Sequence, residues 1–484
     1  MHPLLAEFEQ TVANRADAPA ACDQNLILDY RSLRAVACGL AGRIAAATTR
    51  PHVGIMAPTS SACAAAIFAC WYAGRVPVPL NFLLGPRELG TIIADAGLDL
   101  VVTIDHFAEA LRPTGLRTLL LNAQTLAPGA TSAPDADPTD TAVIIYTSGT
   151  TARPKGVCLT FENLVQNAHA CIQHARMTPE QVFLSVIPQF HSFGFTAMTV
   201  TPLLLGATAW FLPRFSPVAV VGTIAEKKVT VFMAVASMYG VLARMKNADP
   251  ADLASLKLAI SGGEPLPAPI AKAFAERFGI EIMEGYGLTE SSPVAAFNVP
   301  WAHRFGSVGR PLPGIEIHAI GEDGRPRPAG QDGELVIRGH CVMKGYHNQP
   351  EATAQAIRDN ALHTGDIGRI DDDGFVFITG RLKEMMIVGG ENVFPFEIES
   401  VLADHPAVAE AAVIGLPDAT RGEIPVAYVI PTEGADPDPA ELRNHCRRRL
   451  AGYKVPREIR IAQDLPRSPT GKILKRALKQ KPET

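Results

Sequence analysis

The sequence predicts an α/β protein with a large N-terminal domain of helix-covered sheets, a small β-barrel subdomain and a small α+β C-terminal domain. The chain has 484 residues, and because single hydrophobic cores stop growing at about 250–300 residues, we expect at least two domains. Helical patterns alternate with short apolar runs as far as about residue 300, which is typical of parallel sheets covered by helices. Beyond that point glycine and proline become frequent and the strand-like runs shorten, which favours a small barrel.

The N-terminal domain is predicted from this alternation. Its first clear helix spans residues 30–46, where the apolar side chains at intervals of three and four residues share one face. An alanine-rich helix follows at 62–74, and Thr160 is suited to cap a helix that runs to about Arg176. Apolar runs typical of buried strands lie near Val53, Val76, Val101, Leu120, Val143, Phe183, Val231 and Leu258.

The remainder of the chain divides into two units. Three short runs, Ile315–Ile320, Glu334–Arg338 and Phe375–Thr379, predict the strands of the barrel. After these runs the pattern becomes helix, strand, strand and helix, at 395–404, 411–414, 426–430 and 441–450. Because about 100 residues is an ordinary domain size, we place a domain boundary near Lys383, which gives domains at 1–382 and 383–484.

Composition restricts the class of protein. The chain is 47% hydrophobic with a net charge of −5, so it is an ordinary globular chain without the basic character of nucleic-acid binding. Eight scattered cysteines without a C-x-x-C pair favour reduced thiols and a cytoplasmic location. The N-terminus does not resemble a signal peptide. The apolar stretches 62–80 and 194–212 are interrupted by Gly, Pro, Thr or Arg, so we interpret them as buried elements rather than membrane spans. Peripheral membrane contact stays open, as does the choice between monomer and homodimer.

The most informative segment is the loop between the strand-like runs that end at Ile145 and begin at Val157. Backbone N–H groups, hydroxyls and cations that converge in a glycine-containing loop are typical of phosphate binding, although the P-loop pattern G-x-x-x-x-G-K-[ST] is absent. An isolated loop of this composition is more often a surface turn. The residues predicted to contact phosphate are Thr147, Ser148, Gly149, Thr150, Thr151 and Lys155.

The segment from Gly285 to Glu290 combines glycines, an aromatic ring, a hydroxyl and a carboxylate. Gly285 and Gly287 permit close approach of a ligand, and Tyr286 is suited to stack on a base. Thr289 is suited to donate to a phosphate, and Glu290 to hold Mg²⁺ as a hard oxygen ligand. One such segment is usually a turn, so the prediction depends on the segments that accompany it.

Shorter segments complete the pattern. Asp366 follows a glycine and is suited to accept hydrogen bonds from two ribose hydroxyls, with Arg381 as a nearby cation. Lys472 lies in a Pro-Thr-Gly-Lys turn, where a lysine is by default a solvated surface residue, and His191 is by default a packed or capping histidine. The turn predicted to line the other side of the base reads Ser261, Gly262, Gly263 and Glu264.

Together and in this order, these segments resemble the adenylate-forming superfamily, which includes acyl-CoA synthetases, nonribosomal peptide adenylation domains and firefly luciferase. The resemblance covers roughly residues 30–476, and it is strongest to a fatty-acid or other carboxylic acid–CoA ligase. The matching segments are 146–157 (phosphate loop), 188–194 (P-x-F-H-x-x-G), 285–290 (Y-G-x-T-E), 364–366 (T-G-D), 380–399 (hinge) and 469–472 (lysine turn).

The resemblance implies a large domain of two helix-covered sheets plus a small β-barrel subdomain, followed by a small mobile α+β C-terminal domain. It implies that an acid and ATP form an acyl-adenylate and pyrophosphate, after which a thiol displaces AMP. Lys472 is expected between the carboxylate and the α-phosphate, and Lys383 at the hinge of the rotating domain. Catalytic roles are implied for Lys472, Glu290, Thr147 and His191. The further residues implied to bind ATP or CoA are Glu284, Ile378, Arg381, Lys383, Gly389, Gly390 and Glu391.

The expected substrate is a hydrophobic carboxylic acid, in particular a fatty acid, with aryl acids as the nearest alternative. Amino-acid-activating relatives place an Asp near the His191 segment, which here has no carboxylate, and an ammonium buried without a partner is costly. Relatives often carry Pro at the position of Ala236 and a small neutral residue at that of Glu264. The residues expected to contact the acid are His191, Phe195, Ala236, Ser237, Leu288 and Pro293.

The expected thiol is coenzyme A, because Gly389 to Asn392 resembles the thiol-side loop of CoA ligases. A carrier-protein phosphopantetheine stays open as the acceptor. A degenerate relative that only binds nucleotide would be expected to lose Lys472, Glu290 or Asp366, and all three are present. A luciferase-like oxidase is a further class and would require O₂. The expected small-molecule requirements are therefore ATP, Mg²⁺ and coenzyme A.

Overall fold

The structure is a computed structural model that describes residues 2–147, 154–418, 420–467 and 473–479. Its helices are α1 (Pro3–Arg15), α2 (Tyr30–Ala47), α3 (Ser61–Tyr72), α4 (Pro86–Asp95), α5 (Asp105–Leu111), α6 (Phe161–His174), α7 (Thr201–Leu205), α8 (Pro217–Lys227), α9 (Ala236–Arg244), α10 (Ala268–Phe278), α11 (Pro350–Ala356), α12 (Pro395–Ala403), α13 (Pro439–Arg447) and α14 (Lys475–Lys479). Among the described residues, no helix combines the length and the apolar character that crossing a membrane requires.

Two mainly parallel sheets form the centre of the N-terminal part. In the described chain one sheet has four strands in the order β4-β3-β5-β6, and the other has nine in the order β15-β14-β13-β12-β11-β9-β10-β1-β2. The alternation of strands and helices therefore forms helix-covered parallel sheets, as predicted. The strands are β1 (Pro19–Cys22), β2 (Ile27–Asp29), β3 (His52–Met56), β4 (Val76–Pro79), β5 (Leu100–Thr103), β6 (Arg117–Leu120), β9 (Val182–Ser185), β10 (Thr208–Phe211), β11 (Val231–Ala234), β12 (Leu258–Ser261), β13 (Ile282–Gly287), β14 (Val294–Phe297) and β15 (Arg310–Pro311).

A small antiparallel sheet carries the two ends of the predicted phosphate loop. It consists of β7 (Thr141–Thr147), β8 (Lys155–Thr160) and β18 (Gly345–Tyr346), with β8 in the middle. Thr160 then caps α6, since its hydroxyl accepts from the Asn163 backbone N–H and the Asn163 side chain accepts from the Thr160 N–H. This capping box confirms the predicted start of the helix.

The segment predicted as a barrel forms a five-stranded antiparallel sheet within the described residues. β16 and β17 pair in register, β20 pairs with β17, β19 and β21, and alternate residues of β16 are buried, which is typical of a sheet with one solvated face. The strands are β16 (Ile315–Ile320), β17 (Gly333–Gly339), β19 (Ile357–Arg358), β20 (Ala361–Ile370) and β21 (Val376–Arg381).

The C-terminal unit has a sheet and a hydrophobic core of its own. A short turn, Leu382–Glu384, separates it from β21, and its buried residues such as Val393, Ile398 and Val413 form a cluster apart from the N-terminal cores. This separate core supports our proposal of a domain boundary at the turn. The strands are β22 (Met386–Val388), β23 (Glu391–Val393), β24 (Val408–Asp418), β25 (Gly422–Pro431) and β26 (Glu458–Ile461).

Candidate active site

A large cavity lies between the nine-stranded sheet, the antiparallel sheets and the C-terminal unit. Its volume is about 1540 Å³, and Ser261 at the end of β12, Gly285–Gly287 of β13 and Asp366 of β20 line it together with Arg467 and Lys475 of the C-terminal unit. Because the carboxyl ends of neighbouring parallel strands meet at one edge of a sheet, residues far apart in sequence converge here. Described residues of several predicted motifs, including His191, Tyr286, Glu290 and Asp366, therefore face one common space.

One end of the cavity is built by the residues that flank the predicted phosphate loop. Thr147 and Lys155 are directly opposite each other in the β7–β8 pair, and both line the cavity. The Lys155 ammonium lies 4.4 Å from the centroid of the Tyr346 ring, and no ion pair with a carboxylate occupies it within the described part of the chain. The predicted phosphate contacts Ser148, Gly149, Thr150 and Thr151 lie outside the described residues.

Glu290 lies beside this end, in the short turn Thr289–Ser291 that follows β13. Its Oε1 accepts a hydrogen bond of 2.8 Å from the Tyr346 hydroxyl. The Thr289 and Ser192 hydroxyls are 3.1 Å apart, which ties the turn to the segment after His191. Both Thr289 and Glu290 line the cavity.

Asp366 is almost fully buried, with a relative exposure of 2%. Its Oδ1 accepts from Arg381 Nε at 2.7 Å, and its Oδ2 accepts from the Tyr286 hydroxyl at 2.7 Å. A carboxylate offers about four acceptor sites, so Asp366 keeps the capacity to accept from ribose hydroxyls. The turn before it is held by Glu334, which accepts from the Gly365 backbone N–H at 3.2 Å.

Two glutamates flank the glycine turn that follows β12. Glu264 lines the cavity and accepts from the Ser237 backbone N–H at 2.7 Å, and burial raises its pKa. Glu284 instead accepts from the Leu266 backbone N–H at 3.0 Å, and burial raises its pKa to about 7. Glu284 is not among the described residues that line the cavity, so its contact with a ligand stays a prediction, while its hydrogen bond to the Leu266 N–H supports the turn.

Backbone geometry explains two of the glycines, one by a close approach and one by a positive φ. A Cβ on Gly287 would lie 1.7 Å from the Pro293 carbonyl oxygen, so that only glycine fits between β13 and the segment that follows it. Gly263 has a φ of +82°, a conformation that residues with a Cβ rarely adopt. These two glycines thus allow the backbone geometry of the cavity wall, while the predicted close approach of a ligand stays a prediction.

Much of the cavity lining is apolar, and we call this apolar part of the lining the apolar chamber. The His191 Nδ1 accepts from the Phe193 backbone N–H at 3.2 Å, and residues Phe193–Val200 form a π-helix, a rare form that often occurs at functional sites. A Cβ on Gly194 would lie 2.2 Å from the Pro188 carbonyl oxygen. The chamber and its entrance are lined by Cys171, Met177, Ile187, Phe193, Ala197, Thr201, Met233, Ile260, Leu288, Pro293, Val294 and Phe297.

Several predicted contacts lie elsewhere. Phe195 is fully buried and its ring packs edge-on against Trp71, 6.1 Å away between centroids, because the π-helix directs it into the core rather than into the chamber. Ala236 is buried at the start of α9, and Ile378 packs against the large hydrophobic core. None of these three is among the described residues that line the cavity. Gly389, Gly390 and Glu391 are exposed at the β22–β23 hairpin.

The C-terminal unit presents one particular face to the cavity. Lys472 lies outside the described residues, but Arg467 before it and Ile473 and Lys475 after it line the cavity. Lys475 Nζ lies 2.6 Å from Glu384 and 2.8 Å from Glu399. Burial alone would lower the pKa of Lys475, but these two carboxylates outweigh it and raise that pKa. The ion pairs connect Lys475 of α14 to Glu384, the residue next to Lys383, and to Glu399 of α12.

The residues around Glu290 fit one bound Mg²⁺. In the described ranges no group of three or more His, Cys, Asp or Glu side chains is arranged to hold a metal ion. Mg²⁺ often uses one or two carboxylates together with substrate phosphates and water, and Glu290 is a carboxylate at the phosphate end of the cavity. Glu290 is therefore suited to hold a Mg²⁺ that arrives with ATP.

Comparisons with known proteins agree with this geometry. Residues 8–347 match the family model described as AMP-binding enzyme, and residues 397–472 match the AMP-binding enzyme C-terminal domain. The first match covers well over half of the chain, and the chain belongs to this family of adenylate-forming enzymes. Its relatives in the family include acyl-CoA ligases.

Three relatives illustrate the range. A feruloyl-CoA synthase of Amycolatopsis sp is 37% identical over 93% of this chain and 92% of its own length. A long-chain-fatty-acid–CoA ligase of Bacillus subtilis is 36% identical over 83% of this chain and 70% of its own length. The crystal structure of ATP-bound MatB from Rhodopseudomonas palustris superposes with a TM-score of 0.91 at 30% identity and covers 99% of both chains. The fold and the enzyme class are thus established, whereas the acids of the relatives differ.

The structure also identifies residues that the sequence patterns missed. Tyr346 contacts both Glu290 and Lys155, and Glu334 holds the turn before Asp366. Both come from strands of the antiparallel sheets, and their spacing in sequence from the motifs they support carries no signal. The sequence patterns also gave no sign that Cys171 and Met177 line the chamber, because both have the character of ordinary core residues.

Proposed function

We propose that this chain is an ATP-dependent carboxylic acid–CoA ligase that forms an acyl-adenylate and pyrophosphate, and then an acyl-CoA thioester and AMP. The observation that carries the proposal is the single cavity that joins a phosphate end at Thr147, Lys155 and Glu290, a ribose carboxylate at Asp366, and an apolar chamber beyond His191. ATP and an acid that occupy these regions together would meet at their junction.

In the first half-reaction, one carboxylate oxygen of the acid bonds to the α-phosphorus of ATP, and the bond to the bridging oxygen of pyrophosphate breaks. A carboxylic acid is already ionised near neutral pH, so no general base is required. Catalysis then depends on alignment and on relief of repulsion between anions. Lys155 and Thr147 are assigned to the departing phosphates and Lys472 to the α-phosphate and the acid. Mg²⁺ bound at Glu290 would supply further positive charge.

The nucleoside is assigned to the region between β13 and β20. Asp366, already oriented by Arg381 and Tyr286, would accept from the ribose hydroxyls. The glycine turn at Gly262 and Gly263 would pass close to the base, and Glu264 would stay fixed by the Ser237 N–H. These assignments place the α-phosphate near the entrance of the apolar chamber.

In the second half-reaction, the thiol sulfur bonds to the acyl carbon and the bond to the AMP oxygen breaks. We propose that the C-terminal domain first rotates about Lys383 and brings the Gly389–Asn392 hairpin to the cavity. In the arrangement described above, the cavity is lined by Arg467 and Lys475, whereas the hairpin is exposed. Arg467 and Lys475 flank the Lys472 turn in sequence, which supports an arrangement suited to the first half-reaction.

The acid is proposed to be hydrophobic. The chamber is lined mostly by apolar side chains, and the segment 188–194 around His191 carries no carboxylate that could pair with an α-amino group. A fatty acid suits this apolar lining, which includes Phe193 and Met177. An aryl acid is the second candidate, because the aromatic ring of Phe193 lines the cavity and lies within van der Waals distance, 3.6 Å, of the position of a Cβ on Gly262.

The test is an incubation of the full chain with ATP, MgCl₂ and a panel of fatty acids of increasing length, cinnamic acids, benzoic acids and amino acids. Pyrophosphate and thioester are measured separately, with CoA or a phosphopantetheinylated carrier protein as acceptor. We expect acid-dependent pyrophosphate release and a CoA thioester with a hydrophobic acid. If thioester formed on the carrier protein and not on CoA, the carrier protein would replace CoA as the proposed acceptor. The proposed function would be refuted if none of the acids on the panel caused release of pyrophosphate.

A further inference from the structure

Tyr346 connects the two charged groups at the phosphate end of the cavity. It lies on β18, nearly 200 residues after Lys155 in the chain, and it lines the cavity. Its hydroxyl faces Glu290 and its ring faces Lys155. One side chain thus contacts both the proposed metal carboxylate and the proposed phosphate lysine.

The hydroxyl restricts the carboxylate. It donates to Glu290 Oε1 at 2.8 Å, and the backbone of the same segment adds a second link, because the Met343 N–H donates to the Glu290 carbonyl oxygen at 3.0 Å. Hydrogen bonds to ionised acceptors are among the stronger ones in proteins. Glu290 is therefore held in one orientation that leaves its second carboxylate oxygen for another ligand.

The ring restricts the lysine. The Lys155 ammonium lies 4.4 Å from the ring centroid, within the range of a favourable cation–π contact. A contact of this kind steadies the cation without neutralising it, unlike an ion pair with a carboxylate. Lys155 therefore keeps its full charge for a phosphate while its mobility is reduced.

Tyr346 is itself fixed by protein contacts alone. It is paired with Val157 in the β8–β18 register, and its backbone N–H donates to the Thr353 hydroxyl at 2.8 Å. The Gln349 side chain also donates to the Pro154 carbonyl oxygen at 3.4 Å, which ties the same segment to the residue before Lys155. The arrangement is therefore built before any nucleotide binds.

We infer that Tyr346 is a positioning residue for the adenylation half-reaction, with its hydroxyl preorganising Glu290 toward Mg²⁺ and its ring preorganising Lys155 toward the phosphates of ATP. This inference rests on the proposed function. It assigns the two halves of one side chain to two separable tasks: the hydroxyl to metal dependence and the ring to phosphate affinity.

The test compares Tyr346→Phe, which keeps the ring, with Tyr346→Leu, which removes both contacts. ATP binding to the full chain is measured by calorimetry over a series of MgCl₂ concentrations and in EDTA. For Tyr346→Phe, the Mg²⁺ concentration that half-maximally enhances ATP binding is expected to rise roughly tenfold or more, from the loss of a hydrogen bond to a charged group. Its ATP affinity in EDTA is expected to stay within about twofold of wild type, because the cation–π contact remains.

For Tyr346→Leu, the affinity in EDTA is also expected to fall, by roughly two- to fivefold, from loss of the cation–π contact. Tyr72→Phe is the matched control, since it removes a tyrosine–carboxylate hydrogen bond to Glu9 at a site that does not line the cavity. It should leave both quantities unchanged. Thioester formation from supplied acyl-adenylate and CoA should be unchanged in every variant, because that step does not use the phosphate end.

The outcomes separate this inference from the proposed function. If wild type binds Mg²⁺-ATP and makes acyl-adenylate, but Tyr346→Phe shows the same Mg²⁺ dependence as wild type, the positioning role is wrong and the function stands. Equal loss of both half-reactions in Tyr346→Phe would indicate a general structural role and would also overturn the inference. If wild type fails to activate any acid, the proposed function itself fails.

Discussion

Glu284→Gln should make the protein more stable above neutral pH without impairing its use of ATP. The Glu284 carboxyl is partly buried and accepts one hydrogen bond, from the Leu266 N–H at 3.0 Å, and burial raises its pKa from 4.5 to about 7. A glutamine keeps the accepting oxygen and removes the charge. The change therefore isolates the cost of ionising this side chain inside the fold.

The magnitude follows from proton linkage. The folded state binds this proton more tightly than the unfolded state, so the stabilisation is complete below pH 4.5 and is lost as the pH rises through 7. At about 1.4 kcal/mol for each tenfold change in proton affinity, the full loss is about 3 kcal/mol. Glu284→Gln should escape this loss, so its advantage over wild type should grow from near zero at pH 4.5 toward that value at pH 8.

The assay is thermal unfolding of wild type and variant at intervals from pH 4.5 to 8. In a domain of this size the expected difference in Tm at pH 8 is roughly 4 °C. Glu276→Gln is the control, because the exposed Glu276 lies on α10 and pairs only loosely with Lys272, at 3.7 Å, and its Tm difference should not vary with pH. A constant difference between wild type and Glu284→Gln across the range would refute the reasoning. A large rise in the KM for ATP would instead support Glu284 as a ligand contact.

The remaining predictions concern the two half-reactions and the π-helix. Lys472→Ala should abolish ATP–pyrophosphate exchange yet spare thioester formation from supplied acyl-adenylate, and equal loss of both steps would remove its assigned role. Lys383→Pro should spare pyrophosphate exchange while thioester formation collapses, because proline restricts the φ rotation that a hinge requires; a parallel decline would exclude the hinge. Gly194→Ala should lower the stability by about 1–3 kcal/mol in thermal or urea unfolding, since its Cβ would meet the Pro188 oxygen at 2.2 Å. Gly222→Ala on α8, with open space around it, should be neutral or stabilising, and similar behaviour of the two variants would contradict the steric argument.

Local sequence patterns were most reliable where the determining interactions are themselves local. The Thr160 cap and the period of α2 depend on neighbours a few residues away, and both are found where the patterns predict them. Predictions of which side chains contact a ligand were less reliable. Phe195 directly follows one matching motif and Glu284 directly precedes another, but neither is among the described residues that line the cavity, since Phe195 packs against Trp71 and Glu284 bonds to the Leu266 N–H.

The sequence by itself determined the class of this protein: an α/β adenylate-forming enzyme whose motifs predict phosphate-, ribose- and metal-binding groups. Motifs carry this information because the chemistry of a nucleotide requires particular side chains in short segments. Only the tertiary structure decided which side chains meet. Tyr346 reaches Glu290 and Lys155, and Glu334 reaches the Asp366 turn, through strand pairing between distant segments. The shape of the apolar chamber was likewise decided by the tertiary structure. It is the space left between α6, the π-helix and the sheet when they pack, and packing is a property of all three together.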